Sequence, residues 1–261
     1  MSLLTATCEI DFDAHVPVPT ILMLRPRSGP AQWIFHEEYG INPRLPVIEY
    51  TDIFGNLCQR VVIPPGKTKL HAACTADTAD TVDVDLNAAF IVPQNLPEGV
   101  LHFLLASRYC PSDQLAKLAT EIVAGAPLGY GRVEAIRGWM QTRIEYKYGT
   151  STAATTAVDT AQGGAGVCRG FAHLGIALCR ALNIPARMVV GYMQGLKVPD
   201  IHAWFEAWVG GRWYVFDGTQ PQTGGNRIAI AYGRDATDVA FVTQFGALTL
   251  ERLSVSVVAA Q

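Results

Sequence analysis

Cys168 is the residue of this chain best placed to act as a nucleophile. It follows a glycine-rich turn containing Gly163, Gly164 and Gly166, and it opens a segment with Phe171, Leu174, Gly175, Leu178 and Leu182 on one helical stripe. The spacing predicts a buried helix from about Cys168 to Leu182, ending at Asn183 before Pro185. A sulfur at the start of such a helix meets unpaired backbone amides and the positive end of the helix dipole, which favour an anion. The thiolate is the attacking form of cysteine. The Cys168 N–H also points toward the place where an oxyanion would form.

A base and a group to orient it can be found by counting. Gly210-Gly211 reads as the two-residue loop of a hairpin. Val209 then pairs with Arg212, Trp208 with Trp213, Glu206 with Val215 and Trp204 with Asp217. His202 and Asp217 share a face as diagonal neighbours, about 7–8 Å apart at the backbone, within reach of a ring meeting a carboxylate. Ala203, Phe205, Ala207 and Val209 take the other face and pack toward the core. Cys168, His202 and Asp217 are thus the candidate nucleophile, base and orienting acid of an acyl-transfer site. A second oxyanion donor is needed, and the indole of Trp139 and the amide of Gln162 are the candidates. Trp204, beside the His–Asp pair, is a candidate shield against water.

The elements that carry these residues divide the chain into a β half and an α+β half. Cys8, Ile10 and Phe12 alternate with Glu9, Asp11 and Asp13, as in a half-buried strand. Phe54-Gly55-Asn56 separates two further strands, and Val82-Asp83-Val84-Asp85-Leu86 alternates again. Residues 1–105 therefore read as a β-sandwich and 106–261 as the second domain. A helix capped by Ser112 carries Leu115, Leu118, Ala119, Ile122 and Val123, with Gly125 past its end, and a second helix carries Val133, Ile136, Met140 and Ile144. Residues 149–160 read as a polar loop. Strands return at 187–193, 202–209 and 212–217.

Bulk composition narrows the function. With 261 residues, 49% of them hydrophobic, the chain can build a real core. Its 16% charged residues and net charge of -3 leave no footprint for nucleic acid or an anionic membrane. No apolar run is long enough for a spanning helix and no leader precedes Asp13, so the cytoplasm is the expected compartment. The six cysteines form no CxxC pair, and the six histidines show no HExxH or other ligand spacing, which argues against a disulfide scaffold and against metal catalysis. Cys179 reads as core, about 16 Å along the helix from Cys168, and His173 as a structural histidine. Trp208 and Trp213 read as packing residues, and Arg234, Asp235 and Asp238 as local ion pairs.

Three blocks also carry a family resemblance. Gly166-Val-Cys-Arg-Gly-Phe-Ala-His-Leu174 with Ala177-Leu-Cys-Arg-Ala-Leu-Asn-Ile-Pro-Ala-Arg187 and Gly191-Tyr192 is the first. His202-Ala-Trp-Phe-Glu-Ala-Trp208 is the second, and Trp213-Tyr-Val-Phe-Asp-Gly-Thr219 the third. In this order they resemble the core of bacterial transglutaminase-like proteins. The match covers roughly residues 100–245, with Ser107-Arg-Tyr109 before the first helix and Gly233-Arg-Asp-Ala-Thr-Asp-Val239 after the strands. Asp52-Ile-Phe-Gly-Asn56 is similar to a signature of that family's N-terminal β-domain. The resemblance implies an α+β fold in which an N-terminal β-sandwich precedes a papain-like core, with a Cys168–His202–Asp217 triad. It implies acyl chemistry on a peptide or protein amide without a cofactor, and hydrolysis more than cross-linking. Gln162, six residues before Cys168, matches the spacing of the papain-type oxyanion glutamine. One departure is Gly170, where the family pattern has an acidic residue. The rival readings are transfer of the acyl group to an amine, as in transglutaminases and arylamine N-acetyltransferases, and a peptide-binding module that keeps the fold without turnover.

Overall fold

A computed structural model describes residues 2–221 and 225–260. Six strands come first: β1 (Ser2–Ala14), β2 (Val18–Arg25), β3 (Gln32–Asn42), β4 (Val47–Thr51), β5 (Leu57–Ile63) and β6 (Gly66–Thr78). Helices α1 (Glu98–Leu101), α2 (Ala116–Ile122) and α3 (Tyr130–Arg143) follow. Next come β7 (Glu145–Tyr146), α4 (Ala157–Gly163), β8 (Ala165–Gly166) and α5 (Cys168–Ala181). The chain closes with β9 (Ala186–Met193), β10 (His202–Val209), β11 (Arg212–Phe216), β12 (Arg227–Gly233), β13 (Val242–Gln244) and β14 (Leu248–Ala259). No helix among the described residues is long and apolar enough to cross a membrane.

Alternation places β1 with one face inward: Leu4, Ala6, Cys8, Ile10, Phe12 and Ala14 are all buried. It pairs antiparallel with β6 and with β14 in a four-stranded sheet of order β14-β1-β6-β3. A second sheet runs β13-β2-β5-β4, and the buried faces of both join one hydrophobic core that continues into α3 and α5. This is the α+β architecture that the sequence suggested. The expected domain boundary needs correction, because β13 and β14 return from the C-terminus to complete the two N-terminal sheets. Their half-exposed edge positions lack the clean alternation that betrays a strand in the sequence.

Three local expectations also change. Residues 82–86 alternate but form no ladder; they are tied to β11 by Arg212 to Asp83 at 2.7 Å and Tyr214 to Asp85 at 3.3 Å. Alternation makes a strand only where another backbone edge is free to accept it. The polar loop at 149–160 yields to α4 from Ala157, a two-turn helix too short for an apolar stripe. Its start was nevertheless written in Thr156 and Asp159, a complete capping box. Ser112 caps no helix with its side chain; a single 3-10 turn over Ser112–Gln114 precedes α2.

The second half is built on the antiparallel sheet β11-β10-β9-β12, with α5 packed against β10 and β9. Gly210 and Gly211 both have positive φ, 60° and 85°, which makes the two-residue loop the sequence implied. The observed register pairs Val209 with Arg212, Trp208 with Trp213 and Glu206 with Val215, as counted. Helix and sheet approach closely at Gly175, where an added Cβ would lie 2.5 Å from the buried Phe205 ring. The outer edge of β12 is met by two amide side chains of the β-domain. Gln32 bonds Ala229 through both its amide atoms (2.7 and 2.8 Å), and Asn56 bonds Tyr232 in the same way (both 2.8 Å). The Asp52–Asn56 signature thus serves to close an exposed sheet edge.

Two outcomes follow. Gly175→Ala is expected to lower stability by about 1–3 kcal/mol through overpacking against Phe205, read from denaturant unfolding. A fragment of residues 106–261 is expected to show no cooperative thermal transition by circular dichroism, since it strands β13 and β14 without β2 and β1; a cooperative transition would refute that coupling.

Candidate active site

Cys168 is the first residue of α5, and its N-cap Val167 contributes no side-chain hydrogen bond, so first-turn amides are left for another partner. The approach to it is tight. An added Cβ at Gly166 would sit 3.1 Å from Thr160 Cγ2, and one at Gly170 would sit 3.0 Å from Thr160 Oγ1. The buried Thr160 of α4 therefore fills the space beside Gly170 that an acidic side chain would need.

His202 opens β10 with its ring almost fully buried and close enough to Cys168 for the sulfur to help hold its proton. Its Nε2 meets Asp217 Oδ2 at 2.8 Å, which leaves Nδ1 for the sulfur. Asp217, just past the end of β11, is buried and fully engaged. Its Oδ1 accepts from Thr219 N at 2.8 Å and Thr219 Oγ1 at 2.7 Å, and its Oδ2 also accepts from Arg227 Nη2 at 3.2 Å. Burial works to raise the pKa of Asp217, but His202, Arg227 and Thr219 outweigh it and hold the carboxyl well below the usual range. Burial likewise works against a proton on His202; the bonds to Asp217 and Cys168 prevail and raise its pKa to about 9. Both partners therefore favour the imidazolium form of the ring.

The structure brings together the three residues singled out as nucleophile, base and orienting acid, and adds Trp204. The Trp204 ring stacks 6.1 Å from that of His202 at 26° and is itself buried. Gly191, paired with His202, makes room for it: a Cβ there would lie 2.8 Å from Trp204 Cη2 and 2.1 Å from Ile228 O. The two oxyanion candidates are placed differently. Trp139 is half-buried and packs on the core, and Gln162 is exposed on the last turn of α4. Tyr146 instead lies close enough to Cys168 for both the sulfur and the backbone amide to act on its hydroxyl. Tyr146 is set there by the parallel pairing of β7 with β8, which places it opposite Gly166, with Lys147 N bonding Gly166 O at 3.0 Å. Tyr146 and Arg227 were not singled out in the sequence. The available signals were slight: a Tyr-Lys-Tyr run just after a helix, and an Arg heading an otherwise apolar strand.

The remaining residues behave as local structure. Cys179 is buried in the core. His173 is fully buried, stacks on Tyr109 at 5.1 Å and accepts from Ala236 N at 3.1 Å; burial lowers its pKa to about 3. Arg234 pairs with Asp238 at 2.9 Å, and Asp235 accepts from Tyr109 N at 2.8 Å and Thr237 N at 2.9 Å.

A family model described as the transglutaminase-like superfamily matches residues 116–218, a span that holds Cys168, His202 and Asp217. Among solved structures, one named "Putative Cysteine Protease from Cytophaga hutchinsonii" superposes with a TM-score of 0.92 at 33% identity, covering 100% of this chain and 91% of the other. Among curated proteins, the uncharacterized protein ML0607 of Mycobacterium leprae is 25% identical over 231 residues, 83% of this chain and 82% of its own. The chain belongs to the transglutaminase-like superfamily, and family and fold together support a cysteine-dependent enzyme.

All six cysteines are free, and Cys168 alone is partly exposed. Burial pushes the thiols of Cys8, Cys74 and Cys110 up to about 12. Native protein treated with iodoacetamide near pH 7 is therefore expected to take up one label, on Cys168, by peptide mass. The His202–Asp217 pair also has a pH signature. Because the pKa of His202 is raised from an unfolded value of about 6.5 to about 9, its stabilising contribution is complete below about pH 6.5 and lost as pH rises toward 9. The Tm difference between wild type and His202→Gln is expected to shrink over that interval.

Proposed function

We propose that this protein is a thiol hydrolase that cleaves peptide or other amide bonds through a thioester on Cys168. The observation that carries the reading is the convergence of the one partly exposed thiol with His202, which is bonded to the buried Asp217 at 2.8 Å. The sulfur attacks the carbonyl carbon, and the oxygen takes negative charge beside the Cys168 N–H. The imidazolium of His202 gives its proton to the leaving nitrogen as the carbon–nitrogen bond breaks, leaving a thioester. His202, now neutral, takes a proton from water as the water attacks that thioester. Collapse of the second tetrahedral intermediate releases the carboxylic acid and returns the thiol. Asp217 keeps the ring in one orientation and compensates its charge throughout.

Tyr146 replaces Trp139 and Gln162 as the proposed second oxyanion donor, since its hydroxyl lies close enough to Cys168 to feel both the sulfur and the backbone amide. The name given to the Cytophaga hutchinsonii protein is in keeping with this chemistry. Six free thiols are suited to a reducing compartment such as the cytoplasm.

The test compares two reactions of Cys168. Acylation by p-nitrophenyl acetate passes through an oxyanion, whereas alkylation by iodoacetamide does not. His202→Ala is expected to slow acylation by about 10²–10⁴-fold. Tyr146→Phe is expected to slow it by about 10²–10³-fold while leaving alkylation unchanged. If wild-type Cys168 reacts only as an ordinary thiol, the chain is a binding module rather than an enzyme. Preferential capture of the acyl group by added glycine ethyl ester over water would replace hydrolysis with amine transfer.

A further inference from the structure

Two buried cationic groups share one oxygen of Asp217. His202 Nε2 lies 2.8 Å from Oδ2 and Arg227 Nη2 lies 3.2 Å from the same atom. Arg227 heads β12, separated from β10 by β9, and still reaches across with its side chain only 7% exposed. Its guanidinium lies 5.7 Å from the centre of the Trp204 ring, which stacks on His202, and Nη1 contacts Gly225 O at 3.4 Å. Orienting an imidazole needs one carboxylate, and Thr219 already fixes the other oxygen of Asp217. A second cation on Oδ2 adds nothing to that task, and burying a guanidinium is costly unless its charge is used.

We propose that Arg227 is a positioning residue that limits how firmly His202 holds its proton, by sharing the Asp217 carboxylate with it. The idea rests on the thiol-hydrolase reading above and refines it. A general acid that must deliver its proton to a leaving amine works best when it does not cling to it. The groups around His202 are Cys168 from α5, Asp217 after β11, Asp200 before β10 and Arg227 from β12. Arg137 of α3 also acts electrostatically on Asp217, but is paired with Glu134. Of these charges, Arg227 is the cation in direct contact with the acid that holds the histidine.

The test uses iodoacetate, whose carboxylate is drawn to an imidazolium beside the thiolate. At high pH its rate with Cys168 falls as His202 loses its proton. In Arg227→Met the falling limb is expected to move to higher pH by about one unit. Arg227→Gln, which keeps a donor and most of the volume, should move it in the same direction and serves if the Met variant does not fold. Arg227→Lys should bring the limb back toward its wild-type position. A limb that stays in place in the neutral variants, whatever their Tm, overturns the proposal and leaves Arg227 a structural ion pair. A wild-type profile without a falling limb removes the imidazolium–thiolate pair itself, and with it the functional reading on which the proposal depends.

Discussion

The carboxylate of Asp217 is the constraint around which this site is assembled. An anion shut away from water is tolerable only where donors meet its oxygens, and here four of them do so, from Thr219 N, Thr219 Oγ1, His202 and Arg227. Each donor fixes a piece of backbone. Thr219 tightens the turn after β11, His202 pins the start of β10, and Arg227 ties in β12 from across β9. Because His202 is committed to Asp217 through Nε2, its other ring nitrogen is turned to Cys168 at the head of α5.

Close backbone approach is the second requirement, and glycine supplies it where a side chain would intervene. Gly175 lets α5 sit on the Phe205 ring, so that Cys168 comes within reach of His202. Gly191 lets Trp204 and β12 crowd the same spot on β9. Gly170 makes room for Thr160, and the acidic residue of the family pattern is absent at the position where α4 has moved in. The departure from the pattern thus has a steric counterpart.

The two halves of the chain depend on one another beyond the shared core. The β-domain covers the edge of β12 through Gln32 and Asn56, the strand that carries Arg227, while β13 and β14 complete the β-domain in return. Arg180, almost fully buried, joins the segments further by donating to Leu105 O, Ser107 Oγ, Ala186 O and Arg234 O. The β-domain is therefore part of what holds the site in shape.

The sequence by itself determined what depends on local spacing. The glycine turn and apolar stripe marked Cys168 as the head of a buried helix, and the two-residue loop at Gly210-Gly211 set the parity that places His202 and Asp217 on one face. Such features are fixed by the periods of helix and strand, which a linear reading can count. Only the tertiary structure decided which distant residues complete the site. Arg227 arrives from a strand two places across the sheet, Tyr146 from a parallel pairing of two-residue strands, and β13 and β14 by a return to the opposite end of the chain. Gln162 kept the right distance along the chain, yet α4 left it facing solvent. Contacts of this kind depend on how elements pack in three dimensions, and neither propensity nor period along the chain encodes that packing.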